Sequence, residues 1–159
     1  MIIKCKMCGG DLHPVENATT CECEFCGTVQ TLPKLDNERR ANLYDRANHF
    51  RRNNDYDKAM SIFEQILQDD RTDAEAYWSL VLCRYGIEYV EDPATHKRVP
   101  TVNRVQLTSI LADEDYKSAL AYADAVQRGL YEEEARNIDG IQKGILELHP
   151  KLARAGDIR

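Results

Sequence analysis

After residue 38 the apolar positions recur every three or four residues. In "ANLYDRANHFRRNNDYDKAMSIFEQILQDD" a first stripe of Leu43, Ala47 and Phe50 is broken by "NND", and Ala59, Ile62, Phe63, Ile66 and Leu67 form a second. That period predicts two helices of about fourteen residues, folded on each other as an antiparallel hairpin by a short turn. Trp78, Val81, Leu82 and Tyr85 start a further helix, and "DEDYKSALAYADAVQRG" carries its partner through Tyr116, Ala119, Leu120 and Ala123. A last helix is expected over Leu130 to Leu148, with Ala135, Ile138, Ile141, Ile145 and Leu148 on one face.

The period changes in two places. Ile87-Glu88-Tyr89-Val90 alternates apolar and polar, turns at Asp92-Pro93-Ala94-Thr95 and returns through Lys97-Arg98-Val99, which predicts a β-hairpin projecting from the helices. Near the N-terminus, residues 19–23 and 28–32 favour strands, and the stretch between two cysteine pairs has room for a hairpin turning around "PVENATT". Pro33 closes the last of these strands, and Asp36 or Asn37 can cap the next helix.

The helical spacing resembles the tetratricopeptide repeat (TPR). Ala47, Phe50, Tyr56, Ala59 and Phe63 fall where that family places packing residues, although Arg71 stands where a proline is usual. The second unit is interrupted by roughly 25 extra residues. The expected fold is therefore mostly α: a small N-terminal β ribbon (1–33), a linker (34–38), TPR-like helical hairpins (39–148) with an inserted β-hairpin (86–112) and a capping helix, and a tail (149–159). Two repeats are fewer than such arrays need, so the extra helix or self-association must supply the missing burial.

The cysteines change the picture most. Five of the six lie within residues 5–28, four of them in two copies of CxxCG, Cys5-Lys6-Met7-Cys8-Gly9 and Cys23-Glu24-Phe25-Cys26-Gly27. A two-residue gap lets both sulfurs of a knuckle face one ion, and the glycine allows the tight turn that brings backbone N–H groups to the thiolates. Cys5, Cys8, Cys23 and Cys26 are thus expected to hold one structural Zn2+, a closed shell with no position for water. The fourteen-residue spacer, Gly9 to Glu22, is slightly short for such a site. A rubredoxin-type iron site is the alternative to zinc, and a redox CxxC is a further one that lacks the strand and helix setting it needs. Cys21 is read as a bystander, and the helical core, which contains none of these thiols, as independent of the metal.

Net charge is -6, and four thiolates make it more negative, so bulk attraction to nucleic acid or membrane is not expected. No eighteen-residue apolar run exists and "MIIKCKMC" lacks a signal segment, which points to a cytoplasmic protein. No Gly-rich phosphate loop, HExxH or paired acid and base appears, so no enzyme activity is expected. Candidate partner-binding residues are Tyr89, His96, Lys97, Arg98 and Arg104 of the insertion, and Arg51 and Arg52 of the first helix. The insertion is equally well a solvated loop or an anion site. Arg39, Arg40, Arg46, Arg51, Arg52 and His49 leave open a nucleic-acid-binding module, working through the ribbon and the basic first helix. Against the acidic last helices, those same arginines suggest head-to-tail self-association.

Taken together, "MIIKCKMCGG", "CECEFCGTVQTLPKLD", "ANHFRRNNDYDKA", "AYWSLVLCRYGIEYVEDPATHKRVPT", "ADEDYKSAL" and "IQKGILEL" resemble the N-terminal region of bacterial, Firmicutes-type, TIR-domain proteins, over roughly residues 1–148. The resemblance implies a zinc ribbon and helical repeats that precede a TIR domain, a fold linked to NAD cleavage and to scaffolding in defence signalling. The chain stops where that domain would begin, and no residue here carries the NAD chemistry. What the resemblance implies is a non-enzymatic interaction or assembly module, the regulatory or sensing part of such a system.

Overall fold

The structure, a computed structural model, describes residues 3–34 and 37–148. The tail and one of the two expected capping residues, Asp36, lie outside them. Two small hairpins come first: β1 (Ile3–Lys4) pairs with β2 (Asp11–Leu12), and β3 (Thr20–Glu22) with β4 (Val29–Thr31). Each hairpin closes on one CxxCG, so the turns are the knuckles themselves. "PVENATT" is the connection between hairpins, with Asn17 at a φ of 64°. The hairpin expected to turn there does not form, because each knuckle brings its own flanking residues into register: Cys5 N–H donates to Gly10 O at 2.7 Å, and Cys23 N–H to Thr28 O at 3.0 Å.

The helices are α1 (Glu38–Arg52), α2 (Tyr56–Asp69), α3 (Ala74–Arg84), α4 (Glu114–Tyr122) and α5 (Ala125–Leu148). Asn37 caps α1, its side chain accepting from Arg40 N–H at 2.8 Å. Asn54, at a φ of 63°, turns the chain into α2. Leu43, Tyr44 and Ala47 meet Ala59, Ile62, Phe63 and Ile66 in one cluster, with the Tyr44 and Phe63 rings 6.0 Å apart. Helix α3 is apolar almost all round and accordingly central. Its Ala76, Leu80 and Cys83 complete the α1/α2 cluster, while Trp78, Val81 and Leu82 enter a second one with α4 and α5.

The insertion forms β5 (Ile87–Glu91) and β6 (Arg98–Val102), followed by a 3-10 turn at Ile110–Ala112. It does not project as expected. Ile87 and Tyr89, on one face of β5, are buried in the second cluster, and only the turn stands in solvent. Helix α5 starts five residues before Leu130, and its buried face runs through Tyr131, Ala135, Ile138, Asp139 and Gln142. Leu148, expected on that face, is exposed. The polar pair faces inward because the irregular chain before α4 needs partners. Gln142 donates to the carbonyls of Gln106 and Thr108, and Asp139 accepts from the Ser109 hydroxyl at 2.7 Å. Among the described residues no helix is long and apolar enough to cross a membrane.

Candidate metal centre

The two knuckles carry the same backbone bonds. Gly9 N–H reaches Cys5 O at 2.9 Å and Gly27 N–H reaches Cys23 O at 2.8 Å, with both glycines at positive φ, 82° and 71°. An L side chain adopts that conformation at a cost, which explains the glycine after each second cysteine. Facing each other, the knuckles bring Cys5 Sγ to 3.7 Å from Cys26 Sγ and Cys8 Sγ to 3.6 Å from Cys23 Sγ, with all four sulfurs within 4.8 Å of one another. Four sulfurs around a tetrahedral ion at a zinc–sulfur distance would lie about 3.8 Å apart. The four cysteines could hold a metal ion, and all six cysteines are free of disulfides.

Donors surround the sulfurs. The amides of Met7 and Cys8 each lie 3.4 Å from Cys5 Sγ, the Gly10 amide lies 3.4 Å from Cys8 Sγ, and the Gln30 side chain donates to Cys5 Sγ at 3.0 Å. Burial pushes the Cys5 thiol up, but the Gln30 amide and the two backbone N–H groups outweigh it and hold the pKa down to about 7. Its neighbours behave oppositely. Burial, with Cys23 and Cys5 close by, drives Cys8 up to about 12, and burial raises Cys26. One thiolate forms readily and resists a second, so full ionisation calls for a cation at the centre. Cys21 is outside the group, its Sγ 3.5 Å from Glu22 O on β3.

The centre is fastened to the helices by side chains to which the sequence reading gives another role or none. Lys6, inside the first knuckle, is buried and reaches Glu75 of α3 at 3.0 Å and the Thr31 hydroxyl at 2.8 Å. Glu75 also accepts from Thr31 at 2.7 Å and from the Tyr131 hydroxyl of α5 at 2.9 Å. Arg51 donates to Lys6 O, and Arg52 to Cys5 O at 3.2 Å. Two charges of the supposed binding face are thus spent holding the knuckle's carbonyls to α1.

The other candidates scatter. Tyr89 and Arg51 are buried, the guanidinium 5.8 Å from the ring centroid, so neither offers the surface expected of it. Arg98 donates to Tyr89 O at 3.2 Å within the hairpin, and Arg104 pairs with Asp57 at 3.0 Å. His96 and Lys97 are exposed on the turn, where His96 has a φ of 60° and lies 3.5 Å from Glu91. On α1, Arg39 is held by Asp69 at 2.7 Å and Arg40 by Asp70 at 3.0 Å. Asp113 and Asp115 are both taken by Arg84 at 2.6 Å. Four of the charges counted for head-to-tail attraction, Arg39, Arg40, Asp113 and Asp115, are thus paired within the chain. Lys6 and Glu75 escape a reading of the sequence because a lone charge beside an apolar residue looks solvated, and only the apolar run that follows Glu75, Ala76 to Trp78, hints otherwise.

No protein-family model, no curated protein and no solved structure matches this chain.

Proposed function

We propose that the chain is a zinc-stabilised, non-enzymatic interaction and assembly module. The observation that carries this is the cysteine centre itself: four sulfurs within 4.8 Å of one another, wrapped in N–H donors and tied to the helices through Lys6, Arg51 and Arg52. All-sulfur tetrahedral sites suit zinc or iron, and a closed shell leaves no position for water or substrate. The metal therefore acts as a strut, making a ribbon of hairpins too small to have a core. Stacking of α1 with α2, then α3 with α4, supports a TPR-like scaffold that α5 caps. Such scaffolds present surface to a protein partner or to a second copy. The resemblance to TIR-domain proteins supports placing this module as the regulatory or sensing part of a bacterial defence or signalling system, in the cytoplasm.

The nucleic-acid alternative is disfavoured, because four of the five arginines that prompted it are bound to Asp69, Asp70 and the knuckle carbonyls. Native mass spectrometry of the whole chain tests the proposal. One zinc per 18.2 kDa chain, with assemblies or a bound protein at higher mass, is expected. A metal-free chain, or a turnover such as NAD cleavage that survives repurification and is lost with a point mutation, would overturn it.

A further inference from the structure

Gln30 of β4 is buried beside the cysteines, and both ends of its side-chain amide are engaged. Its Nε2 donates to Cys5 Sγ at 3.0 Å, and its Oε1 accepts the Lys6 backbone N–H at 3.0 Å. The second bond fixes the orientation of the first: with Oε1 on an N–H donor, Nε2 must face the sulfur. Gln30 follows the second CxxCG in sequence, whereas Cys5 and Lys6 belong to the first. One neutral side chain therefore clasps the first knuckle to the strand that leaves the second.

The donors are shared unevenly among the sulfurs. Cys5 Sγ has three N–H neighbours, from Met7, Cys8 and Gln30, while Cys8 Sγ has the Gly10 amide and Cys26 Sγ lies 3.3 Å from the Thr28 hydroxyl. The Met7 and Cys8 groups are backbone amides 3.4 Å away, which come with the turn whatever the side chains are. Gln30 makes the shortest of these bonds, and its amide is the one side-chain N–H among the described residues that reaches a sulfur. Four thiolates around one divalent ion retain two negative charges, which burial makes costly. Lys6 Nζ bonds to Glu75 and Arg52 to Cys5 O, so neither nearby cation donates to a sulfur. Compensation falls to neutral dipoles, and outer donors of this kind govern how firmly a ligand set holds its metal.

We propose that Gln30 is a positioning residue for the metal: its amide seats Cys5 on the ion and disperses the charge of that sulfur. Retention of the ion then depends on a residue outside both CxxCG motifs. This rests on the reading of the four cysteines as a metal site, and the experiment separates the two.

The whole chain is loaded with zinc and its release to an excess of chromogenic chelator is timed. Loaded with cobalt instead, the same chain shows a sulfur-to-metal charge-transfer band that reports the charge left on the thiolates. Gln30→Met, similar in length and without a donor, should release zinc about tenfold faster or more. Its charge-transfer band should move to lower energy, because a thiolate without that bond gives up electron density more readily. Thr31→Val, one position along β4, loosens the ribbon from Glu75 without touching a sulfur and should leave the band in place. A measurement on the unaltered chain covers a Gln30 variant that fails to fold. With an NMR-active cadmium isotope bound, one Gln30 side-chain amide proton should show a coupling to the metal through Cys5 Sγ. An unaltered chain that binds neither zinc nor cobalt would overturn the metal reading and this proposal with it. If the unaltered chain binds both, the proposal alone falls on any of three results: wild-type release and band in Gln30→Met, an equal band shift in Thr31→Val, or cadmium couplings at the Met7 and Cys8 amides with none at Gln30.

Discussion

Lys6 lies between two metal-ligand positions yet spends its charge on Glu75, 69 positions away in sequence, in surroundings that leave both side chains less than a tenth exposed. Breaking a buried pair strands the remaining charge, which costs more than the pair contributes. Lys6→Met should therefore lose about 3 kcal/mol or more in chemical denaturation. The double variant Lys6→Met/Glu75→Gln should recover part of that loss, whereas additive losses would show that the two do not act as a pair. At the sulfurs, Cys23→Ser should release the metal and Cys21→Ser should keep it; full metal content in the Cys23 variant would reverse the ligand assignment. The grouping of the four cysteines was legible because CxxCG repeated twice has few other uses. Lys6 and Arg51 were not, since no local pattern distinguishes a lysine that meets a carboxylate from one that meets water.

At the level of elements, legibility followed length and period. Helices α1 and α2 could be placed because their stripes run for about two turns each and the Asn53–Asn54–Asp55 break is made of poor helix formers. Strands β1 and β2 have two residues each, too few for any alternation to show. The inserted hairpin was visible in the sequence but its attitude was not, because alternation says that one face is buried without saying against what. Its entry is set by Gly86, at a φ of 60°, where an added Cβ would lie 2.7 Å from the Arg104 backbone nitrogen. Gly86→Ala should cost on the order of 2 kcal/mol through backbone strain and this clash. The expected sign is a lowered thermal midpoint with helix content kept; an unchanged midpoint would mean that the hairpin base is soft.

Over the whole molecule, the cysteine centre is bonded to the helices through Lys6, Arg51 and Arg52, which argues against a helical core that would ignore a metal bound there. Chelation should therefore raise hydrogen exchange in α3 around Glu75 and in α5 around Tyr131, as well as in the knuckles. Exchange confined to residues before Pro33 would restore the independent body. Self-association through α1 against the last helices can draw on fewer charges than the sequence offers, because Arg39, Arg40, Asp113 and Asp115 are paired internally. Light scattering should accordingly give a mass that changes only modestly across a salt series, and a mass that falls steeply with salt would bring the full charged contact back. The long reach of the anchoring bonds also has a consequence in time. Gln127 donates to Leu32 O across 95 positions, so during synthesis the knuckles leave the ribosome roughly 5 to 20 seconds before α5 can receive them. In that interval all four cysteines are made but lack their seat on the helices, so an ion bound then would be held by the knuckles alone.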